Sequence, residues 1–191
     1  MSVTSATQYP HRYNSGVKPR FLHQSDRYWL PRPSCSGPYR RWLTDEGSLT
    51  RRLQARCAAF NVANVTQRWA KPLPDESRLL RLRRGTRALI REVWLRNGPT
   101  DLVFARSVLP RASLRGAWRN LGVLGARPLG AVLFGDARVR RFPLSFRKLS
   151  GRHPISRRIG RPGRWARRSV FVRGSRAILV TEVFLPGVLA L

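Results

Sequence analysis

The sequence predicts an α+β fold with an antiparallel sheet, on three observations. Two pairs of strand-like segments are joined by short turns. Helical stretches lie beside them without βαβ alternation, and no internal repeat recurs. The first pair is RALIREVWLR and DLVFARSVLP, linked by NGPT, an Asn-Gly connection that suits a hairpin. The second is RRSVFVRGSRAILVTEVFLP, turning at Gly174-Ser175.

The other elements follow in order. RWLTDEGSLTRRLQARC reads as a helix with Asp45 and Ser48 as candidate N-caps and with Leu49, Leu53 and Cys57 on one side. FNVANVTQRW reads as a short strand, and KPLPDESRLLRL as a turn leading into irregular or helical chain. ASLRGAWRNLGVLG reads as a helix stopped at Gly125, and RPLGAVLF as a short apolar segment. Residues 136–168 are rich in Arg, Gly and Pro and read in part as a long loop.

Length and composition bound the rest. A chain of 191 residues with 42% hydrophobic residues supports one domain with a packed core. Residues 1–40 mix Pro, Arg, Ser and Tyr without periodicity and read as a basic, flexible or loosely docked extension, leaving 41–191 as the folded domain. Cys35 and Cys57 are too few for a disulfide framework or a zinc site, which suits a reducing, cytoplasmic setting. The N-terminus lacks the apolar core of a secretory signal. The longest apolar stretch, Ala177 to Leu191, is too short to span a bilayer and contains Glu182 and Pro186. A soluble, cytoplasmic monomer is expected.

Charge is the most unusual feature of the composition. There are 38 basic and 9 acidic residues, a net charge of +29, and the only lysines are Lys18, Lys71 and Lys148. Residues 102–191 hold 19 basic residues and two acids, Asp136 and Glu182. Such a field concentrates small carboxylates, phosphates, RNA and anionic lipid surfaces alike. No zinc finger, RNP signature or basic heptad region appears, so binding to nucleic acid or anionic membrane is expected to be nonspecific. His11, His23 and His153 lack metal-ligand spacing and read as tail or loop histidines. Neither a nucleophile elbow nor a glycine-rich phosphate loop is present.

Strand parity supplies the sharpest clues, because side chains alternate faces. Leu89, Arg91, Val93 and Leu95 share one face, so Arg91 lies among aliphatics, where an unpaired charge is costly. Ile178, Val180, Glu182 and Phe184 share another, with Glu182 as its anomaly. Either Arg91 and Glu182 form a structural ion pair, or they face a pocket. There Arg91 would hold a carboxylate bidentately, and a desolvated Glu182 would give or take a proton. Arg106, in DLVFARSVLP, reads as a supporting or surface arginine.

Five segments in this order resemble the bacterial chorismate pyruvate-lyase family: WLTDEGSLTRRL (42–53), IREVWL (90–95), ARSVLP (105–110), LGARPLGAVLF (124–134) and LVTEVFLP (179–186). The resemblance implies a single antiparallel sheet flanked by helices, an enclosed ligand pocket and no cofactor. It also implies elimination of pyruvate from chorismate to give 4-hydroxybenzoate for ubiquinone biosynthesis. It carries over onto Arg91 and Glu182 as catalytic residues. Leu49 and Leu129 join them in substrate binding, through backbone N–H groups and apolar wall. The family often has methionine where Leu49 stands. The basic extension and the Arg-rich 136–168 stretch depart from its compact members. On the same scaffold, the alternative is a non-catalytic small-ligand, RNA-associated or membrane-associated protein.

Overall fold

The computed structural model describes residues 28–191. Among these residues, seven antiparallel strands form one sheet: β1 (Phe60–Ala70), β2 (Ala88–Asn97), β3 (Thr100–Pro110), β4 (Val139–Arg141), β5 (Ser145–Lys148), β6 (Trp165–Arg173) and β7 (Arg176–Phe184). Their order is β1-β2-β3-β7-β6-β4, and β5 pairs with the other half of the same β6 edge. Both expected hairpins form. Gly98 and Gly174 take φ of +53° and +58° at the two tight turns, a conformation that a side chain would strain. The strand expected from FNVANVTQRW is β1.

Among the described residues, six short α-helices surround the sheet: α1 (Arg40–Leu43), α2 (Leu49–Gln54), α3 (Pro74–Leu79), α4 (Arg111–Leu114), α5 (Leu129–Gly135) and α6 (Pro154–Ile159). Of the two candidate caps, Ser48 is the N-cap of α2 and accepts from the Arg51 amide at 3.3 Å. Asp45 instead accepts from the Gly47 amide at 2.7 Å and from Arg52 at 2.6 Å.

Several expectations are corrected. The helix expected across ASLRGAWRNLGVLG is two pieces, α4 and a 3-10 turn at Arg119–Val123. Trp118 between them is buried, and its indole donates to the Arg176 carbonyl at 2.9 Å, so tertiary packing overrides the local helical pattern. RPLGAVLF contains a helix, α5. The stretch read in part as a long loop holds β4, β5 and α6, elements too short to show a period. His153 is a buried N-cap of α6 whose Nδ1 accepts from the Ile155 amide at 3.2 Å, and burial pushes its pKa down.

Of the expected extension, residues 1–40, the structure describes residues 28–40. Residues 28–40 dock on the domain: Trp29 is buried and donates to Asp75 at 3.0 Å, and Leu30 bridges to Phe146. The remainder of the extension, with His11 and His23, lies outside the described residues.

Each sheet face carries two apolar clusters with a polar centre. On one face, Trp42, Leu43, Leu53, Val93 and Phe184 form one cluster, and Trp118, Leu121, Leu133, Phe171 and Ile178 the other. On the opposite face the clusters gather around Trp29, Phe104, Leu149 and Val183, and around Ile90, Val108, Val170 and Leu179. There the polar centre is closed: Glu92, Arg106, Thr181 and Arg168 stand in register across four strands. Arg106 is therefore a buried ion-pair residue. It binds Glu76 bidentately at 2.7 and 3.0 Å and Glu92 at 2.6 Å, and its pairing raises its pKa against the opposing effect of burial.

Candidate active site

The polar centre of the first face opens onto a cavity. Two register rows make its floor: Arg91, Ser107, Val180 and Ser169 across β2, β3, β7 and β6, and beside it Val93, Ala105 and Glu182, a row that Arg167 continues beyond the cavity lining. The middle strand offers only Ala105 and Ser107 here, and these small side chains leave the space that larger ones would fill. The roof comes from the turn before α2 and from the start of α5, through Gly47, Leu49, Thr50, Pro128, Leu129 and Gly130. Their close crossing needs a glycine: a Cβ on Gly130 would stand 2.8 Å from Thr50 Oγ1 and 3.1 Å from Ser48 Oγ.

Arg91, Glu182, Leu49 and Leu129 all line this one cavity. Arg91 is 3% exposed, and its NH2 donates to the carbonyls of Gly125 and Arg127 at 3.0 and 3.2 Å. It makes no ion pair among the described residues, and its Nε is buried without a partner. Burial pushes its pKa down, so an anion in the cavity would relieve an uncompensated charge. Glu182 pairs not with Arg91 but with Arg167, whose Nε donates to Oε2 at 2.5 Å. The structural ion pair open from sequence thus exists with a different arginine. Leu49 and Leu129 are the first residues of α2 and α5, where backbone amides have no intrahelical acceptor.

Two arginines of the site were not singled out from sequence. Arg167 shares the cavity-side face of β6 with Trp165, Ser169 and Phe171, so the parity argument applied to β2 and β7 would have found it. Arg141 sits on a three-residue strand within the Arg-rich stretch and has no periodic signal. It lines the cavity, and burial pushes its pKa down to about 10 against the opposing pull of Glu182. No group of three His, Cys, Asp or Glu side chains gathers as a metal site would among the described residues. No helix among them is long and apolar enough to cross a membrane.

The sequence matches the chorismate lyase family over residues 25–190. It is 48% identical over 171 residues to a protein of Nitrosospira multiformis named "Probable chorismate pyruvate-lyase", covering 85% of this chain and 95% of that one. A protein of the same name from Aromatoleum aromaticum is 48% identical over 174 residues, covering 85% and 94%. Among solved structures, the PhnF C-terminal domain aligns over 69% of this chain and 84% of its own, with a TM-score of 0.49 and 14% identity. The family match spans the whole sheet, its helices and every residue that lines the cavity, and the chain belongs to the chorismate lyase family.

Proposed function

We infer that the chain is a chorismate pyruvate-lyase, converting chorismate to 4-hydroxybenzoate and pyruvate with Arg91 and Glu182 at the centre of the site. One observation carries the assignment of the site within the family: Arg91 and Glu182 face the same cavity without pairing to each other. Two strand spacings and an offset of two residues separate them, about 12 Å between Cα atoms at ordinary sheet spacing. Their side chains converge on a space that suits one small ring.

In this reading Arg91 and the amides of Leu49 and Leu129 hold the ring carboxylate. Glu182 is an ion-pair partner and so presents an acceptor oxygen, which suits a hydrogen bond from the C4 hydroxyl more than donation of a proton. The substrate then supplies its own proton. The C3–O bond breaks, the C4 hydrogen passes to the enolpyruvyl methylene on the same ring face, and its C–H electrons complete the aromatic ring. The ether oxygen leaves as the ketone of pyruvate. Aromatisation drives the step, so the protein's contribution is positioning and charge complementarity.

The test is to incubate the purified chain with chorismate deuterated at C4, beside Glu182→Ala. Equal amounts of 4-hydroxybenzoate and of pyruvate carrying the label in its methyl group, with turnover lost in the variant, support the whole reading. Label lost to solvent rejects direct transfer, and absence of turnover by folded protein rejects the lyase assignment. As a separate property, the +29 charge supports nonspecific association with polyanions, read as salt-sensitive co-sedimentation with anionic vesicles or RNA.

A further inference from the structure

Arg141 is the second guanidinium on the cavity wall, and the roles given above to Arg91 and Glu182 leave it unexplained. It stands opposite Phe171 on the edge strand β4, which puts it on the cavity face of the sheet. Its NH1 donates to the Glu46 carbonyl at 2.7 Å, and its guanidinium carbon lies 5.6 and 5.4 Å from the ring centroids of Phe134 and Phe171. Its Nε is buried without a partner, and no carboxylate pairs with it among the described residues. One carbonyl uses one of five donors, which is poor compensation for burying a cation.

The charges on the wall do not cancel. Arg91 and Arg141 are unpaired, whereas Glu182 is already neutralised by Arg167. Two unmatched positive charges suit a dianion. Four strand spacings separate Arg91 from Arg141, about 19 Å at Cα for a flat sheet. Two arginines reaching inward across that span leave a gap the size of a small dicarboxylate.

We propose that Arg141 is a second carboxylate-binding residue of the cavity, taking the enolpyruvyl carboxylate of chorismate while Arg91 holds the ring carboxylate. The proposal rests on the lyase reading above. It has a consequence of its own: 4-hydroxybenzoate has lost the second carboxylate, so its affinity does not depend on Arg141, whereas that of the substrate does.

Calorimetry on the wild-type chain, Arg141→Met and Arg141→Lys separates the two. The probes are 3-(carboxymethoxy)-4-hydroxybenzoate, an unreactive dianion with its second carboxylate on the ring position that bears the enolpyruvyl group, and 4-hydroxybenzoate, with KM and kcat for chorismate measured alongside. The expected result for Arg141→Met is dianion binding weakened at least about tenfold and KM raised comparably, with 4-hydroxybenzoate within about threefold of wild type. Arg141→Lys recovers part of the dianion affinity. Should Arg141→Met not fold, Arg141→Lys carries the test through the same contrast. Equal weakening of both ligands would mean that Arg141 only ties down the roof at Glu46, and it overturns the proposal. Unchanged dianion affinity also overturns it. If the wild type converts chorismate while Arg141→Met keeps its KM, this assignment alone fails. If the wild type does not convert chorismate, the lyase reading fails and the assignment falls with it.

Discussion

Glu182 and Arg167 are direct cross-strand neighbours on β7 and β6, joined by a 2.5 Å hydrogen bond from Nε to Oε2. The same guanidinium reaches past the sheet: its NH1 donates to the carbonyls of Trp42, Leu43 and Asp45 at 3.0, 3.3 and 2.5 Å. One fully buried side chain therefore fixes both the acidic group on the cavity floor and the turn that leads into the roof. Glu182, the only acid on the cavity wall among the described residues, is held by a residue that does not itself line the cavity.

Substitutions at the two ends of this pair are expected to behave differently. Arg167→Met strands three carbonyls and a carboxylate and should cost about 3–5 kcal/mol of stability. Glu182 is partly exposed to the cavity, and Gln keeps an acceptor for Arg167, which retains its three carbonyl partners, so Glu182→Gln should cost less than Arg167→Met, about 1–3 kcal/mol, while lowering kcat. Urea denaturation beside steady-state kinetics measures both. Equal stability losses would place Glu182 in the core and not in the site.

Arg91→Ala removes a charge-assisted carboxylate contact and should lower kcat/KM roughly 30- to 900-fold, equivalent to about 2–4 kcal/mol. Arg91 also holds the carbonyls of Gly125 and Arg127, just before α5, so 4-hydroxybenzoate affinity should fall with it. Product binding measured by calorimetry, unchanged in Arg91→Ala, would move the ring carboxylate elsewhere.

Ala105→Leu puts a larger side chain into the cavity floor between Val93 and Glu182. It fills open space, not a packed core, so stability should stay within about 1 kcal/mol, where overpacking a full core costs about 1–3. Binding of 4-hydroxybenzoate should weaken at least about tenfold. Retained binding would show that the ligand sits away from this floor.

Glu92 tests the opposite face. It accepts from Arg106 at 2.6 Å, Arg68 at 3.1 Å and Arg158 at 3.3 Å. Burial pushes its pKa up, but hydrogen bonds and charge from Arg68 and Arg106 outweigh burial and hold it below the usual range. The stability it supplies is present above its unfolded pKa of about 4.3 and is lost as pH falls through the lower folded value. Glu92→Gln should cost about 3–5 kcal/mol at neutral pH and flatten the acid limb of the stability curve. The kcat of the folded variant should stay near wild type, because Glu92 faces away from the cavity.

The hairpins and the two anomalous charges were legible in the sequence because β2 and β7 are long enough for parity to show. Arg91 and Glu182 stood out as charges in apolar strands, and both line the cavity. The same rule passed over Glu92 because its face of β2 also carries Arg96, whereas Arg106, flanked by Phe104 and Val108 on its face of β3, carried the same signal as Arg91. Their burial comes from α3 and α6 covering that face, which no local pattern encodes. Arg141 was hidden for a related reason: three residues of β4 cannot establish a period, and six other arginines lie within residues 138–158. The stop at Gly125 was legible, with φ of +57°, while the break at Trp118 was not, because a tertiary hydrogen bond makes it.

The most direct test of the site is a crystal structure of the chain with 4-hydroxybenzoate bound. The account predicts the ring carboxylate within hydrogen-bonding distance of Arg91, and the phenol oxygen within hydrogen-bonding distance of Glu182 Oε1. A product bound in the reverse orientation, or outside this cavity, would contradict it.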